Sequence, residues 1–167
     1  MIEQVTGKEK SLYPSILRWL QDYLTNKYPR ALVKTFDVHS VDLSDFIQRH
    51  KYTKFFPEYS TYKIRVDLLG LVFEKNMCRM AFVEVKVSAL SLMNFSQLLG
   101  YCKIVKPESA FLISPQGMAK PLNQLLTHFN RVDILEFDKN RFIRVARWNS
   151  SRNAIDFDSV IPPFGNL

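Results

Sequence analysis

Cysteine is scarce in this chain, which has only two cysteines and five glycines in 167 residues. Cys78 and Cys102 each lie within an apolar pattern, which indicates two reduced core residues rather than a disulfide. The sequence also lacks a G-x-x-x-x-G-K-[ST] loop, the glycine-rich turn that cradles phosphates. We therefore expect no nucleotide cofactor and no coupled nucleotide hydrolysis.

Long hydrophobic runs are missing as well. The first ten residues, MIEQVTGKEK, lack the apolar stretch of a signal peptide, and no later run approaches the length of a membrane span. The hydrophobic fraction of 47% and the charged fraction of 23% are ordinary for a globular protein. We expect one cytoplasmic domain over residues 1–167, without a membrane partner and with a loose C-terminal tail from about residue 156.

Basic residues outnumber acidic ones, 23 against 16, which gives a formal charge of +7. The surplus is uneven, since the segment from Lys139 to Ile155 contains five basic residues and no acid. Such charge favours a polyanionic partner through counterion release and long-range attraction. Basic surfaces are common, however, so the charge alone leaves nucleic acid as one of several partners.

Hydrophobic periodicity predicts an α/β sandwich with a central mixed sheet flanked by helices. An antiparallel hairpin, closed by a turn at Lys75 and Asn76, is followed by a helical crossover that favours a parallel neighbour. The core order is helix, three strands, helix, strand (αβββαβ). The expected helices cover about 11–27, 91–105 and a stretch interrupted near Pro121, and 43–50 fits a single helical turn. The expected strands cover 31–38, 63–74, 79–87, 110–114, 132–137 and 141–148.

Three charges stand inside the two apolar strands of the hairpin. With a two-residue turn at positions 75 and 76, Asp67 lies opposite Glu84, and alternation puts Glu84 and Lys86 on one face. Directly opposed side chains have Cβ atoms about 5 Å apart, and like charges at that distance repel. Two facing carboxylates therefore require a cation between them.

Two interpretations satisfy that requirement. In the first, the carboxylates belong to a charge ladder in which Arg65 lies diagonal to Glu84 and Asp67 diagonal to Lys86. In the second, a metal ion binds between them, because bulky apolar residues cover part of the same face and make an unpaired carboxylate costly. These strands alone do not choose between the two. The covering residues are Leu69, Leu71, Phe73 and Phe82.

The helix after the hairpin carries polar residues at helical spacing. Gln97 and Tyr101 are four residues apart, hence on one face, with Asn94 one turn earlier. They are either ordinary surface residues or one wall of the cleft that contains the carboxylates. Gly100 predicts a close approach of this helix to the sheet.

In this combination the sequence resembles the RecB-type branch of the PD-(D/E)XK nucleases. Asp67 matches the strand Asp of that family, Glu84-Val85-Lys86 matches its E-x-K triplet, and Gln97 to Tyr101 matches its Q-x-x-x-Y element. The resemblance spans roughly residues 9–114, and Val66 replaces the Pro that often precedes the Asp. It implies a restriction-endonuclease-like fold and a magnesium-dependent deoxyribonuclease, of endonuclease or exonuclease type.

The resemblance also implies a metal site and a catalytic set. Mg²⁺, with Mn²⁺ as a substitute, would be bound by Asp67, Glu84 and the backbone carbonyl of Val85. Lys86 would orient the attacking water or act as a base. Some relatives use four cysteines for an iron–sulfur cluster or an upstream His as a ligand; two cysteines exclude the former, and neither His39 nor His50 has a clear match. The remaining catalytic candidates are Gln97, Tyr101 and Glu9.

DNA is the expected partner, and a homodimer is possible. The residues expected to contact DNA are Arg141, Arg144, Arg147, Lys103 and Lys54. Three other readings stay open: a catalytically inactive nucleic-acid-binding module, a nuclease subunit of a larger complex, and an unrelated α/β domain in which the charges form a ladder.

Overall fold

The computed structural model describes residues 8–165. Its first long helix, α1 (Tyr13–Lys27), begins with Pro14 in its first turn, where proline loses no helical hydrogen bond. Ile16, Leu20 and Leu24 recur every four residues and are buried, so one side of α1 packs on the sheet. Residues 8–10 are also helical and are separated from α1 by a turn at residues 11 and 12.

The other helices are short except for α3 (Leu92–Val105), whose amino end has a reciprocal cap between Ser91 and Asn94. A π-helical turn, Gln124–His128, continues α4 (Lys120–Asn123), and single 3₁₀ turns connect several other elements. The elements after α1 are β1 (Leu32–Asp37), α2 (Leu43–Arg49), β2 (Leu68–Glu74), β3 (Met77–Val85), α3 (Leu92–Val105), β4 (Ser109–Ser114), α4 (Lys120–Asn123), β5 (Glu136–Asp138), β6 (Arg141–Asn149) and β7 (Ala154–Ile155).

The strands form one mixed sheet with the order β1-β2-β3-β4-β6-β5, and β7 pairs with β6. The first three strands are antiparallel, whereas β4 runs parallel to both β3 and β6. The crossover from β3 to β4 is α3, which explains their parallel pairing. The predicted α/β sandwich with a mixed sheet between helices is confirmed.

Each face of the sheet carries its own hydrophobic core. Phe82 and Leu69 face α2, α3 and α4, while Val83 and Leu68 face α1. This alternation along β2 and β3 is the predicted one, and the hairpin register, with Glu74 opposite Met77, is also as expected. Within residues 8–165, no helix is long and apolar enough to cross a membrane.

The predicted strand over 63–74 is wrong in its first part, because β2 begins only at Leu68. The carbonyl oxygens of Tyr62 and Ile64 accept hydrogen bonds from the amides of Ser44 and Leu43, at the start of α2. The backbone before Asp67 is therefore bound to a helix rather than to a strand. Ile64 and Val66 consequently face the same core as Leu69, opposite to the alternation expected for a continuous strand.

Three expectations in the C-terminal third also need correction. Residues 132–135 form a 3₁₀ turn, so the predicted strand shrinks to β5, and Pro121 lies in the first turn of α4 rather than interrupting a helix. The segment after residue 156 is not loose up to Ile161. Val160 is buried, and Ile161 forms a β-bridge with Val145.

The close approach of a helix to the sheet occurs at Gly70 and not at Gly100. A Cβ added at Gly70 would lie 2.5 Å from Leu24 Cδ1 and 3.3 Å from Ala81 Cβ, whereas one added at Gly100 would meet nothing within 4 Å. Gly100 faces solvent, so the prediction for it is wrong. Gly70 is the position that lets α1 pack closely on β2.

The same substitution at these two glycines should have opposite effects. Gly70→Ala forces the Leu24 side chain to move within a packed core and is expected to destabilise the protein by about 1–3 kcal/mol. Gly100→Ala adds a methyl group in open space on a helix and should stabilise by about 0.5–1 kcal/mol. Urea unfolding of both variants and wild type measures the two changes. A neutral Gly70→Ala would show that α1 is not held this closely to the sheet.

Candidate active site

Asp67 lies in the bend just before β2, and its carboxylate holds two other parts of the chain. Asp67 Oδ2 accepts a hydrogen bond from the backbone N–H of Val85 at 2.7 Å, and Oδ1 accepts one from the Tyr13 hydroxyl at 2.9 Å. Leu68 pairs with Val83, so one step further along the same register Asp67 lies opposite Glu84, as predicted. The carboxylate thus connects the end of β3 to the start of α1.

Three carboxylates surround the ammonium group of Lys86. Lys86 Nζ lies 2.9 Å from Glu84 Oε1, 3.5 Å from Glu9 Oε1 and 3.8 Å from Asp67 Oδ2. The side chains of Glu84 and Lys86 are only 8% and 20% exposed. We call these four residues the acidic cluster. Glu9 reaches it from the helical turn before α1, so four of the six predicted catalytic side chains meet there.

Two carboxyl groups of the acidic cluster have raised pKa values, chiefly because they are buried. Burial, reinforced by repulsion from Asp67, raises the pKa of Glu84 to about 7, and burial also raises the pKa of Glu9. Burial alone would lower the pKa of Lys86, but attraction to Glu84 and Asp67 outweighs it, and the pKa is raised. Lys86 therefore keeps its proton in this arrangement, which argues against the expected alternative role as a base.

The donor set suits a hard divalent cation. Glu84 Oε2 is buried without a hydrogen-bond partner, and the carboxylates carry charge that one ammonium group does not neutralise. Carboxylate and carbonyl oxygens are the ligands that Mg²⁺ prefers. In the described part of the chain, no group of three or more His, Cys, Asp or Glu side chains is arranged around a metal position. The fit therefore rests on Asp67, Glu84 and the Val85 carbonyl.

The charge ladder lacks one of its members. Arg65 Nε donates to Asp42 Oδ1 at 2.7 Å, and its side chain is mostly exposed, away from Glu84. The reason is the bend at Asp67, because residues before it no longer follow the alternation of β2. Only the half of the ladder that involves Lys86 is formed.

Gln97 and Tyr101 lie on α3 as predicted, and they bind each other. Gln97 Nε2 donates to the Tyr101 hydroxyl at 3.0 Å, and Tyr101 packs against the core that contains Phe82. Among the described residues, neither side chain makes a hydrogen bond to the acidic cluster. The amide of Asn94 is used by the cap of α3, since its Oδ1 accepts from the Ser91 N–H at 2.9 Å.

The three arginines of β6 do not form one basic surface. A spacing of three residues on a strand alternates between faces, so Arg144 lies opposite Arg141 and Arg147. Arg147 is paired with Asp156, and Arg141 Nη2 lies 3.1 Å from Glu108 Oε2. The segment Lys139–Ile155, which contains no acidic residue, is thus partly neutralised by acidic residues that lie outside it.

Lys103 and Lys54 are the other residues expected to contact DNA, and both are exposed. Lys54 Nζ lies 4.9 Å from the centre of the Phe55 ring, in a loop formed by two 3₁₀ turns. Their charges remain available to an anionic partner.

Tyr13 and the Asp37–His39 pair are site residues that the sequence does not identify. Tyr13 is four residues after Glu9, and this short separation is the signal available in the sequence, although a turn at residues 11 and 12 divides the two helical segments. Asp37 ends β1, its carboxylate binds His39 Nδ1, and the His39 ring lies 5.6 Å from the Tyr13 ring. Tyr13 and His39 therefore extend the site on the side of β1.

Removing the Glu84 charge should stabilise the metal-free protein above pH 4.5. The pKa of Glu84 is raised from its ordinary value of 4.5 to about 7 in the folded protein. The free energy of unfolding therefore falls as pH rises from 4.5 through about 7. Glu84→Gln mimics the protonated acid. At pH 8 its free energy of unfolding should exceed that of wild type by at most about 3 kcal/mol, because each pKa unit corresponds to about 1.4 kcal/mol. The advantage should vanish near pH 4.5.

Thermal melting in EDTA between pH 4.5 and 8 provides the measurement. Glu58→Gln is the matched control, because Glu58 is exposed and should show no such trend. If Glu84→Gln melted below wild type at every pH, the ion pair with Lys86 would outweigh the repulsion, as the ladder interpretation requires.

The geometry brings Glu9, Asp67, Glu84 and Lys86 to one point at the carboxyl end of β3, with Val85 held by Asp67. Comparisons of this chain with protein-family models, with curated proteins and with solved structures find no match. The residues and their contacts are therefore the basis for assigning a function.

Proposed function

We propose that the protein is a metal-dependent nuclease that hydrolyses phosphodiester bonds in DNA. The observation that carries the proposal is the acidic cluster, in which a buried and unpartnered Glu84 oxygen lies opposite Asp67 and beside a charged lysine. A carboxylate excess of this kind is costly unless a cation binds, and a lysine in the same group can act on an anionic substrate. The D…E-x-K…Q-x-x-x-Y pattern supports the same reaction.

Asp67, Glu84 and the Val85 carbonyl would hold Mg²⁺ or Mn²⁺. Bound there, the ion supplies a water of lowered pKa and neutralises charge on the phosphate. The hydrogen bond from the Val85 N–H to Asp67 fixes the peptide that follows Glu84, and the Tyr13 hydroxyl fixes the other oxygen of Asp67. These contacts preorganise the site because both carboxylate oxygens of Asp67 are already oriented.

Lys86 is assigned to stabilising negative charge on the phosphate, since it keeps its proton. Glu9 is within 3.5 Å of Lys86 and positions its ammonium group. Gln97 and Tyr101, which bind each other rather than Lys86, are assigned to the substrate phosphates. The net charge of +7 supports DNA as the substrate, because the surplus lies outside an acidic active site.

Cleavage should depend on the metal and on both carboxylates. Purified protein is expected to nick or degrade DNA with Mg²⁺ or Mn²⁺ and to be inactive in EDTA, and Asp67→Asn and Glu84→Gln should abolish cleavage. The assay uses supercoiled, linear and branched DNA, with Glu58→Gln as a variant that keeps activity. Equal cleavage in EDTA, or full activity in both carboxylate variants, would refute the proposal. DNA binding without cleavage would favour the inactive binding module.

Metal binding should release a proton below neutral pH. Glu84 must ionise to bind a cation, so at pH 6 about one proton should leave for each Mn²⁺ bound, and almost none at pH 8. Calorimetric titration in two buffers with different ionisation enthalpies counts these protons. The Asp67→Asn variant should bind no Mn²⁺ at either pH. Proton release that did not change with pH would show that Glu84 is not a ligand.

Lys86 should matter for chemistry more than for DNA affinity. Lys86→Ala is expected to lower the cleavage rate about 100-fold or more, the usual effect of removing a preorganised charge, while DNA affinity in EDTA stays close to that of wild type. Lys63→Ala is the control, because Lys63 is exposed and pairs with Asp45. A parallel loss of affinity and rate would make Lys86 a phosphate anchor instead.

A further inference from the structure

A cavity lies on the other side of the molecule from α3, between α1, β6 and the C-terminal segment. Its volume is about 460 Å³, and its walls include the rings of Trp19, Tyr23, Phe157 and Phe164. We call it the aromatic cavity. Tyr23 is ten residues after Tyr13 on the same helix, which separates the cavity from the acidic cluster by about 15 Å.

The rings of the aromatic cavity present flat faces. Trp19 and Tyr23 lie one helical turn apart with ring centres 5.6 Å apart and an angle of 20° between planes. Phe111 supports both edge-on from β4, at 5.1 and 5.3 Å. Phe157 is 69% exposed at the rim, although a phenylalanine is normally buried. Flat aromatic walls with one exposed ring suit a planar aromatic guest.

Two cations line the same cavity without carboxylate partners. Among the described residues, no Asp or Glu oxygen lies within 4 Å of the Lys27 ammonium or the Arg144 guanidinium. Within residues 8–165, Arg144 Nε is buried with no hydrogen-bond acceptor, and its guanidinium lies 5.1 Å from the Phe164 ring. Burial lowers the pKa of Lys27, attraction to Glu108 opposes this, and the neighbouring charge of Arg144 adds to the lowering. An anion would supply what both groups lack.

Among the described residues of the lining, Asp22 is the one acidic residue, and it is exposed. This part of the lining therefore carries two cations and one carboxylate. We propose that the aromatic cavity is a binding site for a nucleotide, with the base against Trp19 and Tyr23 and the phosphate on Lys27 and Arg144. The volume is in the usual range for small-ligand sites, and stacking combined with basic groups is how proteins bind unpaired bases. The guest is either a free nucleotide or one nucleotide of a single strand.

Intrinsic fluorescence reports on this cavity directly, because the chain has two tryptophans and both are near it. Trp19 lines the cavity, and Trp148 lies 6.4 Å from Trp19. Titration in EDTA, where no cleavage is expected, keeps the result independent of the proposed nuclease activity. We expect AMP to quench the fluorescence and adenosine or inorganic phosphate alone to bind at least about tenfold more weakly. Tighter binding of a short single-stranded oligonucleotide than of AMP would identify the strand as the source.

Variants complete the test. Arg144→Gln and Lys27→Gln should each lower the affinity for AMP about tenfold. Phe157→Ala, which removes an exposed ring, should lower this affinity as well. Arg30→Gln, the same loss of charge at an exposed position, should bind as wild type does. The proposal is overturned if AMP does not quench, if adenosine binds as tightly as AMP, or if Arg144→Gln and Phe157→Ala both bind normally. Asp67→Asn should retain AMP binding, which separates this site from the acidic cluster.

Discussion

The carboxylate of Asp67 is the contact on which the site depends. It accepts hydrogen bonds from the Val85 amide and the Tyr13 hydroxyl, so a single side chain joins the bend before β2, the end of β3 and the start of α1. Charge-assisted hydrogen bonds of this kind are stronger than neutral ones. These hydrogen bonds hold two antiparallel strands and a helix at one point. They also fix the Asp67 carboxylate close to Glu84.

The consequence is an electrostatic conflict that the protein only partly relieves. Lys86 neutralises part of the charge, and the pKa of Glu84 is raised first by burial and then by repulsion from Asp67. A protein selected for stability alone would place an apolar residue at a position this deeply buried, because unpaired buried charge is costly. Perturbed ionisation of this kind is concentrated at functional sites. The unfavourable ionisation of Glu84 therefore supports the proposal of a cation site.

The sequence predicts the strands of the core and the hairpin register because alternation and turn position are local properties. The sequence also predicts that Asp67, Glu84 and Lys86 lie close together, because the register follows from the turn at Lys75 and Asn76. It does not predict the bend at Asp67, because that bend depends on α2 taking the carbonyl groups of residues 62 and 64 as hydrogen-bond acceptors. The pairing of Arg141 with Glu108, which lies 33 residues earlier in the sequence, likewise arises only from tertiary structure.

The contact at Gly70 gives the core a direct influence on the site. Tyr13 at the amino end of α1 holds Asp67, while Glu9, in the separate helical turn before α1, reaches Lys86. The depth at which α1 rests on β2 is set by the absence of a methyl group at Gly70, where Leu24 fills the space. A methyl group at Gly70 would displace the Leu24 side chain, and any resulting shift of α1 would be passed on to the contact between Tyr13 and Asp67. The alignment of the carboxylates is thus governed in part by a residue in the middle of the sheet that touches none of them.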